Sequence, residues 1–298
     1  MKKIGLSTGC LQTKFGDERA LEICAEAGFD SIDFNMSIFD KNPDMPDEEV
    51  MERFSKLKEK ADSLGLDVSQ THGRVRSLTP DEAQCVSVRK AARLDLLATK
   101  ILGAPTCVIH NITTMHWQDA DADFMHAKNK EFIDYLVPFA EEFDVNIGME
   151  TFGDAKRYGK RVIDFFGDSR ELKKQFDMID TKKKVICMDT GHTNKACNVG
   201  ADDGSSVPDI VESIHMFGKD LKVLHLNDNN GFTDQHLPPL FKMQGGVKWK
   251  EVFEALDVVG YNGYYNFELA LSNWSETMEE FVYFLGKHLR NVVDGKMW

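Results

Sequence analysis

Short apolar runs alternate with longer amphipathic stretches along the whole chain. Runs bounded by turn residues predict strands, and apolar positions three to four apart predict helices. On that basis strands are expected at Met1–Leu6, Ser31–Phe34, Leu66–Gln70, Thr106–Ile109, Asn146–Met149, Lys184–Met188, Lys222–Leu226 and Gly263–Leu269. Helices are expected at Asp17–Ala27, Pro46–Leu64, Pro80–Leu102, within Asp121–Phe143, and at Ile163–Met178, Pro208–Phe217, Trp249–Val259 and Glu276–Val293. Asp17 is a candidate N-cap. Gly28, Gly65, Gly103, Gly218 and Gly260 stand where helices should stop. The segments Asn35–Asp47, Asn111–Ala122, Thr193–Val207 and Asn227–Lys248 are expected to be long polar loops, each following a strand.

Strict alternation of strand and helix implies a parallel sheet. Eight such units in 298 residues fit one (β/α)8 TIM barrel of α/β class, residues 1–298 forming a single domain. An open doubly wound sheet would announce a GxGxxG loop after the first strand, but the turn here is Ser7-Thr8-Gly9-Cys10.

The polar residues at strand ends give this frame its chemistry. His72, His110, Glu150, Asp189, His225 and Glu268 each follow an apolar run, at successive spacings of 38, 40, 39, 36 and 43 residues. Each interval is about one βα unit, so a closed barrel brings these side chains to one mouth. Any one of them alone reads as an ordinary structural residue. Six together would repel or desolvate one another unless a cation held them, and few Lys or Arg lie nearby. A divalent metal is the simplest answer. His192, Asp228, Asp234 and His236 stand close by in sequence, whereas His116, His126, His215 and His288 fall outside the pattern and read as structural or exposed.

Composition narrows the function classes. The net charge of -13 opposes polyanion binding, which rests on Lys and Arg meeting phosphates, so no nucleic-acid partner is expected. The cysteines Cys10, Cys24, Cys85, Cys107, Cys187 and Cys197 are scattered without a CxxC pair, as ordinary thiols in a reducing compartment are. The start of the chain lacks a signal-peptide apolar region, and no stretch is apolar enough to span a bilayer. A cytoplasmic protein without membrane contact is expected.

The strings Ile147-Gly148-Met149-Glu150, Met188-Asp189-Thr190-Gly191-His192, His225-Leu226-Asn227-Asp228-Asn229, Asp234-Gln235-His236-Leu237-Pro238-Pro239 and Asn266-Phe267-Glu268 resemble the xylose-isomerase-like barrels, specifically the sugar phosphate isomerase/epimerase group, over the whole chain. The resemblance implies one divalent metal ion (Mn, Mg, Co or Zn) held by Glu150, Asp189, His225 and Glu268. It implies that Glu150 and Glu268 are the catalytic residues, moving protons on a ketose or related sugar through an enediolate. His110 and His192 would bind substrate hydroxyls or orient ligands, with His72, Asp234 and His236 lining the pocket. Loop aromatics such as Phe39, Trp117, Phe152 and Phe232 would pack on a sugar or seal the mouth, and Trp117 is taken as a substrate contact. The resemblance also allows a homo-oligomer.

A lyase, dehydratase or deglycosidase acting by similar proton removal is the nearest alternative. A second is an endonuclease-four-type multi-zinc hydrolase, whose nine ligand types are matched at His72, His110, Glu150, Asp189, His192, His225, Asp234, His236 and Glu268. Departures from the sugar-enzyme pattern concern the substrate. No Arg lies between His225 and Glu268, the usual Pro-Pro-Gly-x-Gly turn becomes Pro238-Pro239-Leu240-Phe241-Lys242-Met243-Gln244-Gly245-Gly246, and no phosphate clamp is evident.

Overall fold

The computed structural model describes residues 2–37, 45–241 and 245–297, with the backbone alone at 201–203. Its strands are β1 (Ile4–Ser7), β2 (Ser31–Asn35), β3 (Asp67–His72), β4 (Thr106–Ile109), β5 (Asn146–Glu150), β6 (Asp154–Arg157), β7 (Lys160–Ile163), β8 (Lys184–Asp189), β9 (Leu221–His225) and β10 (Tyr265–Phe267). Its helices are α1 (Gly9–Phe15), α2 (Asp17–Glu26), α3 (Asp47–Ser63), α4 (Glu82–Leu102), α5 (Ala122–Phe143), α6 (Ser169–Met178), α7 (Thr190–Asp203), α8 (Ile210–Phe217), α9 (Trp249–Val258) and α10 (Met278–Val293). Eight parallel strands pair in the order β10-β1-β2-β3-β4-β5-β8-β9. A parallel bridge between Leu226 and Phe267 joins the two outermost strands and closes the ring. The protein is a (β/α)8 barrel, as its alternation predicts.

Alternation along each strand sorts side chains between two compartments. Ile4, Leu6, Ile32, Phe34, Ile147, Met149, Ile186 and Met188 belong to the main core, together with Leu21, Phe54, Leu97 and Leu136 of the surrounding helices. Positions of the other parity face the barrel interior. Val108, Val185, Cys187 and Val223 form a separate apolar group there. The opposite side of the interior is polar, since Asn266 Nδ2 donates to Gln70 Oε1 (2.6 Å) and Ser69 Oγ to Asn266 Oδ1 (2.9 Å). Gly5 makes room for this group, because a Cβ there would lie 1.9 Å from Asn266 Oδ1. The same parity carries on to the strand ends: Gln70 leads to His72, Cys187 to Asp189, Val223 to His225 and Asn266 to Glu268. The candidate ligands therefore top the interior column of each strand.

Several segments depart from the sequence expectation. Asp17 opens its helix, and Gly16 precedes it as the cap. Ile163–Met178 is not one helix: Ile163 ends the antiparallel hairpin β6–β7, and α6 starts only at Ser169. The hairpin turns at Tyr158 and Gly159, both with positive φ. Thr193–Val207 is not a loop, because α7 runs from Thr190 to Asp203. Ala196 and Val199 give it a buried face. Its polar composition hides that face from a periodicity reading. No helix among the described residues is long and apolar enough to cross a membrane.

Candidate metal and catalytic site

His72, Glu150, His225 and Glu268 each offer one ligand atom, and these four atoms lie within 4.8 Å of one another at the barrel mouth. His225 is their hub. Its Nδ1 lies 2.8 Å from Glu150 Oε1 and 3.3 Å from Glu268 Oε2. His72 stacks on the His225 ring, with centroids 5.1 Å apart, and its Nε2 is 3.6 Å from Glu268 Oε1. The His72 Nδ1 lies 2.7 Å from the Gly73 carbonyl, which leaves Nε2 directed into the cluster. His110 approaches from the next strand, its Nε2 3.1 Å from Glu150 Oε2. The Glu150 Oε2 and His110 Nε2 are buried and lack a hydrogen bond of good geometry.

Asp189 adjoins this group and belongs by distance to a second one, with His192 and His236. Its Oδ1 caps α7 by accepting the His192 backbone N–H (2.7 Å), and its Oδ2 accepts from Asn227 Nδ2 (2.8 Å). The Asp-Thr-Gly-His string owes its glycine to this contact, because a Cβ on Gly191 would sit 1.9 Å from Asn227 Oδ1. His192 Nδ1 reaches both Glu150 Oε1 (3.7 Å) and Asp189 Oδ2 (3.8 Å). Asp234 Oδ2 lies 3.5 Å from His192 Nε2 and 3.4 Å from His236 Nε2. His236 ties this outer group to the inner one, its Nδ1 lying 3.8 Å from Glu268 Oε2.

Packing so many acids and imidazoles together sets their protonation. Burial pushes the Glu150 carboxyl up, but the His225 charge and contacts from His110 and His225 hold it well below the usual range. Glu268 is likewise lowered, against its burial, by His225, His236 and His72. Asp189 moves up through burial. His225 is raised well above its ordinary value, its burial being outweighed by Cys187, Glu150 and Glu268. His192 is also raised well above, by Asp189, Asp234 and Glu150 against its burial. His236 is raised to about 9 against its burial, chiefly by Glu268 and Asp234. In the absence of a cation these histidines themselves become the cations, which is how a ligand set behaves before a divalent ion displaces its protons. The donor set of buried carboxylates and imidazoles, with the unmet Glu150 Oε2, therefore fits a divalent metal.

A cavity of about 380 Å3 opens beside the cluster, between His110, Phe152, His192, Lys195, Asp154 and Asp234. The Phe152 ring meets His110 edge-on at 5.3 Å. Lys195 bridges Asp154 (2.8 Å) and Asp234 (3.5 Å). It therefore brings the β6–β7 hairpin, absent from the sequence reading, up to the cavity. His116, set aside on sequence, lines the same cavity. Trp117 does not join it: its Nε1 donates to the Leu78 carbonyl and its ring leans on Phe124. Phe232 lies over Arg161 and is exposed, and Phe39 falls outside the described residues. Asp228 holds the loop after β9 by accepting from Val247 N and Trp249 Nε1. His126 is locked between Gln175 and Glu171.

Sequence reasoning also missed Asp33, a buried carboxylate on β2 whose Oδ2 is 3.3 Å from His225 Nε2. An Asp flanked by Ile32 and Phe34 in a short strand was the available signal, because a carboxylate is rarely buried unpaired.

Comparison with known proteins agrees with this architecture. The model of the xylose isomerase-like TIM barrel family matches residues 21–285. An uncharacterized protein of Methanocaldococcus jannaschii is 30% identical over 135 residues, 45% of this chain, and the matched stretch spans only 40% of that relative's length. Among solved structures, a D-tagatose 3-epimerase-like protein is 20% identical, with 99% of this chain and 100% of that chain covered and a TM-score of 0.71. A D-psicose 3-epimerase crystallised in the presence of D-fructose is 16% identical, with 98% and 99% covered and a TM-score of 0.68. The IOLI protein with a bound zinc atom is also 16% identical, with 98% of each chain covered and a TM-score of 0.73. At these identities the structural likeness establishes the fold.

Proposed function

The chain belongs to the xylose isomerase-like TIM barrel family, and from that premise we propose that it is a divalent-metal-dependent isomerase or epimerase of a ketose or related sugar. The observation that carries this reading is the buried convergence of His72, Glu150, His225 and Glu268 within 4.8 Å at the barrel mouth. The 3-epimerase names among its structural neighbours point to the same substrate class. The zinc of another neighbour supports a metal here.

His72, Glu150, His225 and Glu268 would hold the ion, with Asp189 at the edge of the set. When bound, the ion would polarise a substrate carbonyl and stabilise the enediolate. Glu150 and Glu268 carry the proton transfers. They approach His225 Nδ1 from β5 and β10, two strands that are not neighbours in the ring. A sugar between them would have one carboxylate on each side. One takes the proton next to the carbonyl, and the other returns a proton to the opposite face. In the metal-free protein both carboxyls are held below their usual range by the neighbouring histidines, against their burial, so each is ionised near neutrality. His110, His192, Lys195 and Asp234 line the approach and offer donors and acceptors for hydroxyls. Phe152 supplies an apolar face there.

Incubating the metal-loaded protein with ketoses in D2O tests this. Deuterium should enter next to the carbonyl, and Glu150→Gln should slow exchange by roughly 10²- to 10⁴-fold. Undiminished exchange in that variant removes the proton-transfer role.

The grouping of Asp189, His192 and His236 favours a second reading, a multi-metal hydrolase of the endonuclease-four type. Elemental analysis separates the two. About one ion per chain supports the isomerase, and about three with cleavage of an abasic-site oligonucleotide supports the hydrolase.

A further inference from the structure

We infer that Asp33 is a positioning residue for the metal centre, fixing His225 so that its Nδ1 lone pair faces the ion; this rests on the metal-dependent reading above. Asp33 stands on β2, across the barrel interior from His225 on β9, and both side chains are fully buried. Its Oδ2 lies 3.3 Å from His225 Nε2. Neither carboxylate oxygen has a hydrogen-bond partner, and neither does His225 Nε2. Among the described residues the His225 ring is the only basic group within 4.0 Å of Asp33. A carboxylate left alone in a barrel interior is costly, so its place is explained by the ring it faces.

The two nitrogens of His225 have opposite surroundings. Nδ1 looks up into the cluster, at Glu150 Oε1 and Glu268 Oε2. Nε2 looks down at Asp33. A carboxylate below the ring favours the tautomer that carries its proton on Nε2 and leaves Nδ1 free to bind. It also holds the ring plane and raises the basicity of Nδ1. The β2 strand has a register shift between Ile32 and Asp33, which sets Asp33 opposite Gln70 in the polar half of the interior. Asp33 does not line the cavity, and its effect on any reaction runs through His225, the basic group it faces.

The test is zinc binding by isothermal titration of the metal-free full chain, wild type and Asp33→Asn. The amide keeps the shape and removes the charge. The expected result is a roughly 10- to 100-fold weaker zinc affinity. A second readout uses zinc-loaded wild-type protein with 15N-labelled histidine. His225 should show a proton on Nε2, shifted downfield by the facing Asp33 carboxylate, and Nδ1 bound to zinc. In Asp33→Asn that proton should move upfield. Equal zinc affinity in the two proteins overturns the inference. So does a wild-type spectrum with zinc on Nε2, which decides the matter even if the variant fails to fold. If wild type binds none of zinc, manganese, cobalt and magnesium, both this inference and the metal-dependent function fall. Zinc binding weakened by Asp33→Asn, with no deuterium exchange from any ketose in wild type, leaves Asp33 in place and overturns only the proposed reaction.

Discussion

The inner group around His225 and the outer group around Asp234 use the same residue types but are built differently. His72, Glu150 and His225 stand on strands, and Glu268 directly follows one. Their positions are set by the barrel ladder and by burial, and His225 is fully buried. The outer group rests on the first turn of α7 and on the loop after β9. There His236 has φ 43°, and the Asp234 side chain is 41% exposed. The inner group is therefore preorganised, whereas the outer one depends on how a loop settles. A site that must hold a metal to within a few tenths of an ångström is better served by strands than by loops. The outer group is suited to contacting whatever enters the cavity.

That contrast makes its strongest prediction about metal affinity. His225→Gln should weaken zinc binding by more than about a hundredfold, since even outer partners of a ligand cost roughly 10- to 100-fold. His236→Gln should stay within about tenfold of wild type, and equal losses from the two would erase the distinction. Titration calorimetry on both variants decides it.

Asp189 is the hinge between the groups, and Gly191 is the place to disturb it. Gly191→Ala would force a Cβ onto Asn227, which holds the Asp189 carboxylate. Overpacking of this kind costs about 1–3 kcal/mol. A lowered melting temperature should accompany weaker metal binding. A drop in melting temperature with unchanged affinity would place Asp189 outside the metal shell.

The smallest effect expected is on pH dependence, and it sharpens the view of the outer group. In the metal-free protein His236 is raised from 6.5 to about 9. Stability from such a group is complete below its unfolded value and is lost as pH rises through the folded value. The melting temperature of metal-free protein should therefore fall between about pH 6.5 and 9, and His236→Gln should flatten that fall. Metal affinity should rise with pH, because the ion displaces the proton of His225, which is held well above its ordinary value.

The strand ends were legible because strand alternation is local. Once Cys187 faces the interior, Asp189 does too, and repetition at about one βα unit shows up as spacing in the chain. The hairpin β6–β7 was not legible, because Asp154-Ala155-Lys156-Arg157 and Lys160-Arg161-Val162-Ile163 carry too many charges to display an alternating face. Only Tyr158-Gly159 marked its turn. Its order comes from partners far along the chain, with Arg161 donating to the Gly231 carbonyl and Lys195 meeting Asp154. Helix α7 was hidden because its residues are mostly polar, with Ala196 and Val199 giving too sparse an apolar face to show as a period.

The sequence alone determined the barrel, the end of it that carries the chemistry, and the residue types gathered there, because each follows from period and order along one chain. Only the tertiary structure decided how those residues divide. It placed His72 with Glu150, His225 and Glu268, moved Asp189 to the boundary, left Trp117 aside, and set Asp33 beneath His225. Those distinctions depend on distances across the barrel, between strands that are remote in the chain, and no local periodicity encodes them.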